Sequence, residues 1–244
     1  MLVQESGERN DGKDIRLACS LAAVAGGLNA SAFHAVGFFS ANMTGNVSAL
    51  SDHLALGDAW AVVFLLAILL LFVSGAGLAS FLVQVGRRRR LKATFAGVIV
   101  LEGLLLLMLG VMEAWGPDAY RRSVLVLGLS FAMGLQNAVV TRISDARVRT
   151  THVSGMATDI GIALGTIVDE VLRRRSGGID VSLMSRLRLH ACTIAAFLAG
   201  GVVGVALHRV VDGKLIFGFA GALLAIGTSG LAKATRQSRT DTVP

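Results

Sequence analysis

Charge is what this sequence has little of. Only 16% of its 244 residues are Asp, Glu, Lys or Arg, against about 25% in an ordinary soluble domain. Cysteine is also scarce: Cys19 and Cys192 both lie in apolar segments, so there is no disulfide framework, and buried thiols behave as small hydrophobes. Two prolines beside 29 glycines fit apolar helices packed closely through small residues. A cleavable leader is not expected, because residues 1–16 mix Glu5, Glu8, Asp11 and Asp14 with Arg9, Lys13 and Arg16 and form no basic n-region. The chain has no HExxH, no cysteine cluster and no Gly-x-Ser-x-Gly, which leaves metal, haem and nucleophile-elbow chemistry without a motif.

What is present is apolar. Hydrophobic residues make up 54% of the chain, and mean hydropathy is +0.68. Long apolar segments run over 17–38, 60–85, 93–115, 123–141, 190–211 and 215–232. Most reach the roughly 20 residues that a helix needs to cross a bilayer. Segments 44–57 and 154–171 are weaker, and the first carries Asp52 and His53. With six spans and a cytoplasmic N-terminus, 19 of the 23 Lys and Arg fall on the cytoplasmic side, "RRRRLK" (87–92) among them. If the weak segments also spanned, the split would be 13 to 10. The positive-inside rule therefore selects six spans with both termini in the cytoplasm. It also makes the net charge of +7 a topology signal and not a sign of nucleic acid. Trp60, Trp115 and Tyr120 then fall at the outer interface, as an aromatic belt would have them.

The order long, short, long, long occurs twice. "GGLNA" (26–30) answers "MGLQNA" (133–138), "NMTGNVSALSDHLALG" (42–57) answers "HVSGMATDIGIALG" (152–165), and "FVSGAGLASFLV" (72–83) resembles "FLAGGVVGVALH" (197–208). Each half carries three spans, an odd number, so the second half must run through the membrane upside down relative to the first. Inverted repeats of this kind recur in secondary transporters and some channels; chance similarity between Gly- and Ala-rich helices is the alternative. The expected fold is an all-α membrane protein of two inverted three-helix repeats, 17–115 and 123–232. Tails 1–16 and 233–244 flank them. Each repeat has a short broken or re-entrant helix after its first span.

At "ANMTGN" (41–46), "AMGLQNAVVTR" (132–142) and "RTTHVSGMATDIG" (149–161), the sequence resembles the YoaK family of bacterial inner-membrane proteins, a domain of unknown function. The resemblance spans nearly the whole chain. It implies a multi-pass protein of the bacterial inner membrane without an established activity. Ser154 stands where the family's second motif leads one to expect Thr, which keeps the hydroxyl.

The motifs supply the candidate site. Thr44-Gly45 and Ser154-Gly155 open the two short helices at equivalent places, and Thr and Ser are good N-caps. A break in lipid survives only against protein or a wet cavity, and a helix N-terminus there suits an anion or another polar solute. The alternative is a pair of amphipathic helices capped at opposite interfaces. Asn29, Gln136 and Asn137 are amides within spans; they line a site or join helices. Asn42, Asn46, His152 and Asp159 complete the candidate substrate-binding set. The acceptor patterns at Asn29, Asn42 and Asn46 match glycosylation motifs but lie in or against the membrane. Glu102, in the middle of an apolar span, is a candidate for proton coupling or a hydrogen-bonded structural group. His190 and His208 are 18 residues apart, about 27 Å along a helix, and cannot share a metal. No catalytic residue, metal or cofactor is expected. The expected partners are the lipid bilayer and a small polar or anionic solute, with self-association an option that the Gly-xxx-Gly pairs permit. A small-solute transporter or channel is the leading function, with a non-catalytic scaffold or accessory subunit as the alternative.

Overall fold

The structure, a computed structural model, describes residues 11–91, 93–173, 180–211 and 214–240. Among them lie eight helices and no strand: α1 (Asp11–Val36), α2 (Met43–Leu56), α3 (Ala59–Arg88), α4 (Thr94–Trp115), α5 (Asp118–Ile143), α6 (Val153–Leu172), α7 (Val181–Val211) and α8 (Leu215–Thr240). Six of these, all but α2 and α6, are long and apolar enough to cross a membrane. The expected tails fall partly outside the described residues. Where described, 11–16 and 233–240 continue α1 and α8 as helix. α5 and α7 likewise start earlier than their apolar segments, at Asp118 and Val181, because hydropathy marks the hydrocarbon-matched part of a helix and not its polar ends.

Local chemistry sets several boundaries. Gly57, at φ 73°, ends α2 in the left-handed conformation that glycine adopts without strain. Asp58 follows at once as the N-cap of α3, its carboxylate accepting from the Ala61 N–H at 3.2 Å. After α5 the chain turns sharply through Asp145 and Ala146, both at positive φ. Ser144 holds that turn, its Oγ accepting from the Val148 N–H at 3.0 Å.

The helices pair across the halves. α1 packs on α7, α3 on α5 and α4 on α8, while α2 lies along α3 and α6 along α7. Hydrocarbon is as apolar as leucine, so the hydrophobic effect does not drive these contacts; close packing does. Gly26 of α1 sits against the backbone carbonyl of Phe197 on α7, and Gly134 of α5 sits against that of Phe72 on α3. A Cβ at either glycine would overlap the carbonyl oxygen. The two crossings are matched from the other side by Gly200 against Ala23 and Gly75 against Phe131. Leu21, Leu28, Ile68, Leu129 and Met133 fill the interior, whereas Val63, Leu70 and Val73 of α3 and Leu198, Val202 and Val203 of α7 are exposed. Apolar outward faces of this kind suit lipid.

Candidate functional site

The two short helices each start two residues earlier than their Thr-Gly and Ser-Gly pairs suggest, and this changes the caps. Asn42, not Thr44, caps α2, its Oδ1 accepting from the Gly45 N–H at 3.1 Å. His152, not Ser154, is the N-cap residue of α6, and no side chain caps that terminus. Its ring instead meets Arg149, with Nδ1 3.2 Å from a guanidinium nitrogen. Thr44 and Ser154 sit inside the first turns, where their hydroxyls are exposed.

Both starts open on one cavity of about 810 Å³. Asn42, Thr44, Gly45 and Ser48 line it from the α2 side, and Arg149, Thr151, His152 and Ser154 from the α6 side. Asn29, Asn137 and Thr141 contribute from α1 and α5, and Phe39, Phe72 and Phe197 form apolar walls. Phe72 is 13 residues along α3 and Phe197 16 along α7, about 20 and 24 Å from their starts. The cavity therefore sits near the middle of both long helices.

The asparagines hold the breaks open. Asn29 Oδ1 accepts from the Ala41 N–H at 2.8 Å, and Asn137 Oδ1 accepts from the Thr151 hydroxyl at 2.8 Å. In each case the amide pins the residue just before an N-cap. Asn137 also donates to the Met133 carbonyl. Asn29 is 7% exposed, and its amide nitrogen has no partner among the described residues.

Three expected members of the site are turned away from it. Asn46 is buried, and its amide donates to the Phe39 carbonyl at 2.7 Å. Gln136 donates to the Leu21 carbonyl at 3.0 Å and joins α5 to α1. Asp159 lies 3.7 Å from His190 Nδ1 and lines a second, smaller cavity of about 270 Å³ with Asp145, Arg147, Arg149 and Arg186. Rotation about the helix axis explains the α2 and α6 cases. At about 100° per residue, Asn46 points some 200° from Thr44, and Asp159 some 140° from Ser154. Ser48, one turn beyond Thr44, returns to the cavity. Gly155 packs beneath the His152 ring, where a Cβ would lie 2.5 Å from Nδ1. Glu102 is fully buried on α4, away from the cavity lining, and neither carboxyl oxygen has a hydrogen-bond partner among the described residues. His208 has no described side chain, and no group of three His, Cys, Asp or Glu among the described residues is placed to hold a metal.

Arg149 and the three phenylalanines were not expected at the site. Arg149 was legible only as a basic residue on the cytoplasmic side. Its place in "RTTHVSG", three residues before the helix break, was the available signal.

A family model described as "Protein of unknown function (DUF1275)" matches residues 17–229. The chain belongs to this family. The match covers four of the candidate spans in full, most of the first and last, and both short helices, so the DUF1275 region contains the whole cavity. No curated protein and no solved structure matches the chain.

Proposed function

We propose that this DUF1275 protein is a non-catalytic transporter or channel for a small solute, built as two inverted repeats in a bacterial inner membrane with both termini cytoplasmic. The observation that carries the proposal is the shared cavity: two helix N-termini, one from each half, open with their polar residues on one apolar-walled space midway along α3 and α7. Non-helical backbone at that depth is tolerated where it lines a cavity. The repeat reading is supported by the matched crossings. The register that sets Asn29 beside Asn137 also sets Gly26 beside Gly134 and Ala23 beside Phe131. The register of the other motif pairs Phe72 with Phe197 and Gly75 with Gly200. The two closest glycine–carbonyl contacts of one crossing have their counterparts in the other, while Gly204 against Gly27 is found in the α1–α7 crossing alone among the described residues.

Glu102 enters the proposal as a proton carrier, because packing alone gives no reason for a buried, unpartnered carboxyl in a span. One observation favours the scaffold reading instead: Asn29, Asn137 and Gln136 all spend polar atoms on holding the fold. Osmotic-shift light scattering on proteoliposomes separates the two. A pathway raises the permeability of at least one small solute above that of protein-free vesicles. A scaffold leaves every solute in a panel of neutral, cationic and anionic compounds at the lipid baseline.

A further inference from the structure

The central cavity has a charge of one sign. Its lining includes Arg149 and His152 but neither Asp nor Glu. Arg149 has no acidic partner among the described residues; its contact is the His152 ring. The remaining polar groups lean the same way. The N-termini of α2 and α6 both face the space, each with partial positive charge and backbone donors, and that of α6 is capped by no side chain. Asn29, more than nine-tenths buried, lines the cavity with an amide N–H₂ that has no partner among the described residues. Thr44 and Ser154 add hydroxyls that can donate.

Resting on the solute-pathway reading above, we infer that the ligand of this cavity is a small monovalent anion and that Arg149 is the residue that binds it. Arg149 is exposed to this space and has no carboxylate to neutralise it there, so an anion entering the cavity meets an available cation and accepts from the surrounding donors. A cation would meet no carboxylate there, and a neutral solute would leave Arg149 unpaired. The second cavity supplies an approach. Arg149 lines both spaces, so it stands where the smaller one, with Arg147 and Arg186, adjoins the central one. In that outer space charges are balanced in part: Asp14 pairs with Arg147 at 3.5 Å, and Asp159 faces His190. Arg149 is left for the ligand.

The test is flux in proteoliposomes carrying the full chain, with potassium nitrate and potassium chloride as anion probes, valinomycin as the potassium shunt, and glycerol as the neutral probe. Wild-type protein is expected to conduct nitrate or chloride above the lipid baseline. Arg149→Gln should lower that flux about tenfold or more, the scale of one lost charge-assisted hydrogen bond, and Arg149→Lys should restore part of it. Arg149 is exposed and touches little else, so folding should survive; a matching size-exclusion profile checks this. Anion flux unchanged in Arg149→Gln overturns the inference. Glycerol flux without anion flux also overturns it, while leaving the solute pathway standing. Baseline flux for every probe overturns both.

Discussion

The two short helices α2 and α6 begin at corresponding places and end up with different N-termini. α2 is closed by its own Asn42, whereas at α6 the N-cap residue His152 turns to Arg149 and leaves the helix end to the cavity. Three residues before each cap the contrast is sharper: Phe39 on one side, Arg149 on the other, both lining the same space. Around this asymmetry the frame is matched. Asn29 ties Ala41 as Asn137 ties Thr151, and the crossings of α1 with α7 and α3 with α5 share their two closest glycine–carbonyl contacts. Packing thus constrains the two crossings in similar ways, while the groups that line the cavity differ between the halves. On the proposed repeat, the frame is the part that is kept and the cavity lining the part that differs.

The largest expected effects come from breaking the frame. Gly26→Val and Gly134→Val each drive a side chain into a backbone carbonyl that cannot rotate away. Each should cost about 3 kcal/mol or more and abolish the monodisperse peak in size-exclusion chromatography. Gly77, with nothing within 4 Å, is the control, and Gly77→Val should leave the peak intact. A tolerated valine at one crossing and not the other would mean that the two are not equivalent in energy.

Next come the ties. Asn29→Leu and Asn137→Leu should each lower the thermal midpoint by a similar amount, equivalent to about 1 kcal/mol. Unequal losses would show that one break depends on its asparagine more than the other does.

A smaller effect sharpens the contrast between the caps. Asn42→Ala should cost about 1 kcal/mol, the usual value of a lost N-cap. His152→Ala should cost α6 almost nothing in stability, because the ring accepts no hydrogen bond from its helix. Equal destabilisation in thermal unfolding would erase the distinction between a closed and an open helix end.

Glu102 yields the smallest expected change in stability. Neither of its oxygens has a partner among the described residues, so Glu102→Leu removes no hydrogen bond there and should leave the thermal midpoint unchanged or raised. If Glu102 carries protons, the same variant abolishes any dependence of solute flux on a pH gradient. Unaltered pH dependence would remove Glu102 from the pathway.

The spans were legible because lipid imposes one simple demand, an apolar run of sufficient length. Both short helices were legible too, from the repeated Thr-Gly and Ser-Gly signatures. Their caps were not. Ser and Thr are favoured N-caps, but so is Asn, and at "ANMTGN" the sequence offers Asn42 and Thr44 two residues apart with nothing to choose between them. The choice then propagates, since a shift in where the helix starts rotates every side chain after it. That is why Asn46 and Asp159 were assigned to a cavity that they face away from. Arg149 was hidden for a different reason: in a membrane protein a basic residue near a span end already has an explanation in topology, and only the fold shows that this one lines the cavity.

The central claim is that the starts of α2 and α6 meet in one mid-membrane space, and it can be measured as a distance. Cys19 and Cys192 are free and can be replaced by serine, after which spin labels at Thr44→Cys and Ser154→Cys report the separation in lipid nanodiscs by pulsed electron resonance. The account predicts a distance near half the hydrocarbon thickness, about 15 Å, lengthened only by the label linkers. A distribution centred at the full thickness, about 30 Å, would place the two helices at opposite interfaces and contradict the shared site.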